Sequence, residues 1–506
     1  MSFNLATILR ESAKSAPEKA LLHAGDVTLT YAQVDELSGR VATSLLALDL
    51  APGDKVAVQL PNLPQFVFAY FAILKAGLVM VPLNPLLRLP EIEYHLNDSD
   101  AKVLICFGPM GEEAAKAAQA AGDLPTFAVT LPGNDDRPEG TRSFDELYLA
   151  EDSGDIVPLS PDETAVLLYT SGTTGRPKGA ELTHFQLFMA ATTGGNLFGY
   201  QPDDVALAVL PLFHVFGLSS VLSTAVRFGG TIVLVPRFEM GPVLDALERH
   251  QVSVFMGVPT MYIAMLQADT SGHDLSALRV GVSGGAAIPG EVIRAFEEKF
   301  PGTVILEGYG LSETSAIATF NSSAEHRRVL SIGQPMWGVE VRIVDGDDQE
   351  LAPGADQIGE IVIRGHNVMK GYYGRPEATA EAMRGGWFHT GDLGYRDDDG
   401  YFFIVDRTKD MIIRGGFNVY PREIEEVLFT HPAVAEAAVI GKADERLGEE
   451  VVAVISLKPG AEVTPEDVIA FTKEQLAAYK YPREVRIIAD LPKGPTGKIL
   501  KTELRD

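Results

Sequence analysis

Tyr169-Thr170-Ser171-Gly172-Thr173-Thr174-Gly175-Arg176-Pro177-Lys178-Gly179 follows the apolar run Ala165–Leu168, which reads as a buried strand. Glycines let a backbone turn tightly and present its N–H groups to an anion. The hydroxyls and Lys178 add donors suited to phosphate oxygens, so the stretch points to nucleotide triphosphate binding. The familiar phosphate loop is excluded: it needs four residues between its glycine and a Gly-Lys-Ser/Thr end, whereas here Gly172 and Gly175 are too close and Lys178 is followed by Gly179. Ser/Thr/Gly clusters also mark ordinary surface loops. A linker, however, rarely joins an apolar strand to Pro177-Lys178-Gly179.

Outward from this loop, short apolar runs alternate with helical periodicity. Thr231–Val235, Val252–Gly257, Val280–Ser283 and Val304–Glu307 read as strands, and Met240–His250, Met261–Gln267 and Gly290–Phe300 as helices. Such alternation predicts an α/β architecture with largely parallel sheets. Thr183 and Gln186 have the spacing of a capping box, which starts a helix directly after the loop. From Gly338 to Gly365 the pattern becomes short strands and turns, a compact β subdomain. After the charged break Asp406–Asp410 comes an α+β pattern. It has a hairpin (Met411–Tyr420), a helix (Pro421–Phe429), strands (Val434–Ile440, Glu450–Leu457) and a helix (Pro465–Tyr479). The expectation is a large domain over 1–408, made of parallel sheets flanked by helices plus the β subdomain, and a small mobile α+β domain over 409–506.

The chain has 506 residues, too many for one core. Its 42 Lys+Arg against 69 Asp+Glu give a net charge of -27, which disfavours nucleic acid and anionic membranes as partners. The single cysteine, Cys106, allows no internal disulfide, which fits a reducing cytoplasm. It lies in the strand-like Ala101–Phe107 and reads as a packed thiol. Met1–Leu21 reads as a short amphipathic helix without the apolar core of a signal peptide. Phe66–Leu83, broken by Lys75, Gly77 and Pro82, is too short and interrupted to span a membrane.

Three more segments stand in order: Glu307-Gly308-Tyr309-Gly310-Leu311-Ser312-Glu313-Thr314, Trp387-Phe388-His389-Thr390-Gly391-Asp392-Leu393-Gly394, and Leu491-Pro492-Lys493-Gly494-Pro495-Thr496-Gly497-Lys498-Ile499. With the first loop they resemble the motifs of the adenylate-forming enzymes: acyl-CoA synthetases, aryl-CoA ligases, firefly-type luciferases and peptide-synthetase adenylation domains. The resemblance runs from about residue 10 to 505.

The resemblance implies ATP, Mg²⁺ and CoA as cofactor and co-substrates, and a role for each matching residue. Thr170, Ser171, Gly172, Thr173, Thr174, Gly175 and Lys178 would hold phosphates. Gly284, Gly285, Ala286, Glu307, Gly308, Tyr309 and Gly310 would form the nucleotide site, with Tyr309 stacked on adenine. Glu313, aided by Thr170, would hold Mg²⁺, since magnesium prefers carboxylate and phosphate oxygens. Thr314 would donate to the α-phosphate, and Asp392 and Arg407 would bind ribose. Lys498 would bridge the two anions that must meet, offsetting their repulsion. Pro492 and Gly497-Lys498 also match the context in which relatives are acetylated on this lysine. Lys409 matches the hinge position, and Arg414, Gly415 and Gly416 would line the CoA tunnel after domain rotation.

The implied acyl pocket draws on Val215, Phe216, Gly217, Thr260 and Ser315, with His214 beside the carboxylate. These segments are apolar or small. They hold no aspartate for an amino group and no arginine for a second carboxylate. Phe216 stands where 4-coumarate-type ligases often carry tyrosine. The expected substrate is therefore a fatty acid, activated as an acyl-adenylate and passed to CoA. Alternatives are an aryl or cinnamic acid–CoA ligase, transfer to an acyl carrier protein, a non-catalytic adenylate-binding protein, and a luciferase-like oxidation. No stable membrane insertion is expected, and monomer and homodimer both remain open.

Overall fold

The computed structural model describes residues 2–131, 133–134, 137–170 and 176–505. Ser171, Gly172, Thr173, Thr174 and Gly175, five of the expected phosphate ligands, lie outside the described residues. Two sheets built around parallel cores make up most of the large domain. The first has nine strands, of which Val205–Ala208, Thr231–Leu234, Val254–Gly257, Val280–Ser283 and Val304–Tyr309 form the parallel centre. The second has eight, centred on Lys55–Gln59, Val79–Pro82, Ala101–Phe107 and Thr126–Val129. It carries the antiparallel pair Thr164–Thr170 and Lys178–Thr183, so the phosphate-type loop joins two paired strands.

The helix Pro64–Lys75 is buried along its length from Phe66 to Lys75. A helix apolar all round belongs inside a core, and this one is flanked at once by the strand Val79–Pro82. Among the described residues no helix is long and apolar enough to cross a membrane. Cys106 is fully buried, and burial pushes its thiol up to about 12. The first helix is Thr7–Ser15, and the capping box at Thr183 forms as expected, with Gln186 N donating to Thr183 Oγ1 and Thr183 N to Gln186 Oε1.

The β subdomain is larger than expected. Val339–Val344 and Gly359–Gly365 supply two strands, and Phe388–Arg396 and Phe402–Arg407 complete a four-stranded antiparallel sheet. Thr390-Gly391-Asp392 is thus inside a strand and not a free turn. Gly391, at φ +72°, and a register shift at Leu393/Gly394 bend the strand there.

Beyond the turn Thr408–Asp410, the hairpin Ile412–Arg414/Phe417–Val419 joins Val434–Asp444, Gly448–Leu457 and Glu484–Ile487 in a five-stranded sheet. The helices Pro421–Phe429 and Pro465–Gln475 accompany it. Its own core includes Ile424, Leu428, Val439, Val451, Ile455 and Val468.

Candidate functional site

The carboxyl ends of parallel strands are where α/β sheets place ligands. Here Val280–Ser283 leads into Gly284-Gly285-Ala286, and Val304–Tyr309 into Gly310–Thr314. Gly285 adopts φ +79°, and a Cβ there would lie 2.8 Å from Lys498 Cε. Only glycine lets this backbone receive the lysine. The tip that carries Lys498 is pinned by Thr260 Oγ1 donating to the Gly497 carbonyl at 2.8 Å. Burial, and then the nearby Arg407, lower the Lys498 ammonium to about 8, while Asp392 acts the other way. His214 is held down to about 3 by burial and by Lys498, so it is a neutral imidazole at working pH. Its Nδ1 accepts from Phe216 N at 3.3 Å.

Asp392 and Arg407 face each other across neighbouring strands, and Arg407 Nε donates to Asp392 Oδ1 at 3.2 Å. Tyr309 O–H donates to Asp392 Oδ2 at 2.6 Å, its ring nearly buried. Three residues from two motifs 83 positions apart therefore meet in one cluster. Glu313 and Thr170 also meet: Thr170 Oγ1 donates to Glu313 Oε1 at 3.1 Å. Tyr372 O–H donates to the same oxygen at 2.9 Å, and Lys178 Nζ lies 5.3 Å from the Tyr372 ring. Tyr372 was not singled out from the sequence. It sits in a two-residue strand, Gly371–Tyr372, with no local motif.

These oxygens fit a magnesium ion. One carboxylate and hydroxyls beside a triphosphate are the donor set Mg²⁺ favours. Among the described residues no cluster of three acidic, His or Cys side chains competes as a metal cage.

Other expected residues are placed differently. Thr314 is fully buried, and its hydroxyl bonds Leu311 locally, accepting from its N–H and donating to its carbonyl rather than standing free for a phosphate. Glu307 turns away from the glycine loop: its Oε2 accepts from Leu330 N at 2.9 Å. Burial raises its carboxyl to about 8 despite the pull of Arg422. Gly308 and Gly310 serve close packing, since a Cβ would meet Phe320 at 2.8 Å and the Ala316 carbonyl at 2.2 Å.

Of the expected acyl-pocket residues, Val215, Gly217 and Ser315 are buried wall, and only Phe216 and Thr260 retain exposure. Ser315, at φ +55°, turns its hydroxyl inward to the Asn367 carbonyl. The Phe216 ring lies against Gly284, where a Cβ would be 3.1 Å from its Cε1. Phe216 also opens a π-helix, Phe216–Ser223. Ser223 and Thr224 hydroxyls donate to carbonyls five residues back, at Leu218 and Ser219, which suits the wider turn. Such segments recur at functional sites. Arg414, Gly415 and Gly416 stand apart from this cluster: Arg414 is clamped by Glu450 at 2.5 and 2.9 Å, and Gly415 N donates to Leu447 O. Lys409 is exposed in the turn between the two domains.

Residues 9–373 match the AMP-binding enzyme family, and residues 423–498 match the AMP-binding enzyme C-terminal domain. The chain is 39% identical over 495 residues to a feruloyl-CoA synthase of Amycolatopsis sp, covering 97% of this chain and 96% of the relative. It is 36% identical over 528 residues to a long-chain-fatty-acid–CoA ligase of Bacillus subtilis (strain 168), covering 99% and 94%. Among solved structures, an anthranilate CoA ligase in complex with anthranoyl-AMP superposes with a TM-score of 0.93 at 31% identity, covering 100% of this chain and 97% of the other.

Proposed function

Because the chain belongs to the AMP-binding, adenylate-forming enzyme family and is an AMP-forming acid–CoA ligase, we propose that it activates a monocarboxylic acid with an apolar body, a fatty acid foremost. The placement of Lys498 against Gly285, within the field of Asp392, Arg407 and His214, carries this reading. It puts one ammonium where a carboxylate and an α-phosphate would meet.

In the first half-reaction a carboxylate oxygen attacks the α-phosphorus of ATP and pyrophosphate leaves. Lys498 stabilises the charge gathered between the two anions. Asp392, oriented by Tyr309 O–H and Arg407 Nε, accepts from ribose hydroxyls. Tyr309 offers a flat face to adenine. Glu313 and Thr170 would hold Mg²⁺, which draws charge from the phosphates when bound. His214, neutral, lines the carboxylate side. In the second half-reaction the CoA thiol attacks the adenylate carbonyl, its proton is lost to solvent, and AMP leaves. We assign the hinge to Lys409, the mobile unit to 409–506, and the CoA-facing backbone to Arg414–Gly416. We assign the reaction to the cytoplasm, a reading supported by a single cysteine that allows no internal disulfide.

The acid is read from Phe216. Its ring against Gly284 offers apolar surface and no hydroxyl for a phenol. A hydroxycinnamic acid is the second reading, favoured by the 39% identity to a feruloyl-CoA synthase. Pyrophosphate release with octanoate, palmitate, ferulate, 4-coumarate and benzoate, each with and without CoA, separates them. The fatty-acid reading expects the highest kcat/KM for an aliphatic acid and acyl-CoA as product. A ferulate maximum overturns it in favour of the second reading. Release without acyl-CoA moves the acceptor to a carrier protein.

A further inference from the structure

Sharing no residue with the nucleotide cluster, a cleft of about 580 Å³ opens between the first helix and the C-terminal end of the helix Thr224–Phe228. Phe3, Ile8, Phe188 and Phe228 give it an apolar lining. Arg227 enters this cleft in an unusual state. Its guanidinium lies over two rings, 5.4 Å from the centroid of Phe188 and 5.7 Å from that of Phe228. Its Nε is buried with no hydrogen-bond acceptor. No described residue forms an ion pair with it, although the chain carries a large excess of acid.

A buried N–H left unmade costs free energy, and a guanidinium costs more than a neutral donor. The neighbouring cation behaves differently: the Lys19 ammonium donates to the carbonyls of Pro202 and Gly229, which satisfies it. The acid at the rim, Glu11, is engaged by Lys14 at 2.9 Å. Among the described cations lining this cleft, Arg227 presents an open fork, and a planar fork matches a carboxylate in two-point geometry. The volume is that of a small-molecule site, and its walls suit an aliphatic or aromatic body.

We propose that this cleft is a second, non-catalytic binding site for an amphiphilic carboxylate, with the head on Arg227 and the apolar body along Phe3, Ile8, Phe188 and Phe228. Arg227 lies in the last turn of the continuous helical rod that begins with the π-turn at Phe216 and ends at Phe228, so an occupant here would abut the element that walls the acyl pocket.

The test uses the full chain with its catalytic cleft filled by a sulfamoyl analogue of an acyl-adenylate, whose own binding reports that site independently. Decanoate is then titrated by calorimetry, with decan-1-ol as the uncharged control. The expected result is one remaining site for decanoate and none for decanol. Arg227→Gln should weaken decanoate at least about tenfold, as loss of a charged two-point contact does. Ser15→Trp, which fills the cleft and leaves Arg227 in place, should weaken it similarly. Pyrophosphate exchange by Arg227→Gln should stay within about twofold, because Arg227 touches none of the adenylation residues. No decanoate binding to the blocked wild-type chain, or binding that survives both substitutions, overturns the proposal.

Discussion

The charge on Lys498 should be visible as an alkaline limb in adenylation. Its ammonium sits near 8 in the docked site, where the ordinary value is 10.5. In the proposed role the active form is the protonated one, so activity should be present below that value and lost above it. Between pH 7 and pH 9 the protonated fraction falls from about 0.9 to about 0.1, a loss of roughly tenfold. An unshifted lysine would lose only about 3% over that interval. The assay is ATP–pyrophosphate exchange, with kcat/KM for ATP followed from pH 6 to 10, because this quantity reports the enzyme before ATP binds. Bound ATP adds negative charge beside Lys498, so the limb in kcat should lie at higher pH than the limb in kcat/KM. His214, near 3, adds no acid limb above pH 5. Lys498→Arg, whose charge is fixed, should be slow but flat across pH 7 to 9. A wild-type profile flat between pH 7 and 9, or an unchanged limb in Lys498→Arg, would refute the assignment of the charge to Lys498.

Gly285→Ala should suppress adenylation strongly, since its Cβ would sit 2.8 Å from Lys498 Cε on backbone at φ +79°. Thioester formation from supplied acyl-adenylate should fall far less, and equal loss in both half-reactions would contradict the docking. Tyr309→Phe removes the 2.6 Å hydrogen bond to Asp392 but keeps the ring, so KM for ATP should rise about tenfold with the fold intact, as seen by steady-state kinetics and melting. Tyr372→Phe removes one of the two hydroxyls on Glu313 and should raise the magnesium concentration needed for half-maximal exchange. Glu307, raised to about 8 by burial, contributes stability that is full below its ordinary value of 4.5 and lost as pH rises through 8. Glu307→Gln mimics the protonated form, so its Tm should exceed that of wild type at pH 8.5 and match it near pH 5.

Periodicity and punctuation in the sequence sufficed for the parallel cores. The run at Val280–Ser283 and the capping box at Thr183 each hold one local pattern that nothing distant overrides. The Asp392 strand is different. Thr390-Gly391-Asp392 has turn composition, yet Asp392 pairs with Arg407 across a bulge, and strand pairing, not local propensity, fixes that. The π-helix at Phe216–Ser223 has no compositional mark. It accompanies tight packing at Gly217, where a Cβ would lie 2.3 Å from the Pro211 carbonyl. The partners of the site were legible only where a motif carries them. Asp392, Glu313 and Lys498 were found that way, whereas Tyr372 reaches Glu313 from a strand of two residues.

The contacts that hold the Lys498 tip are suited to release. Gly497 is held by one hydrogen bond to Thr260, Glu426 by a 3.4 Å contact with Gly290 N, and Arg422 by its Nη1 on the Ile404 carbonyl at 2.7 Å, its backbone N–H on Asp406 Oδ2 at 3.2 Å and its Nη2 on the Leu330 carbonyl at 3.4 Å. Each is worth about 1 kcal/mol net. Against them, carrying the Lys498 ammonium from water to a site where it titrates near 8 costs about 3 kcal/mol. A triphosphate in the cleft adds negative charge beside Lys498 and favours the docked arrangement further. Pyrophosphate release then removes the charge that favoured docking. The hairpin of Arg414–Gly416, kept in shape by Glu450 and Leu447 within its own domain, can travel as a unit because its restraints move with it. On this reasoning the order of the proposed half-reactions follows from electrostatics at a single lysine: the ligand that must be bound for adenylation is the one whose departure frees the cleft for CoA.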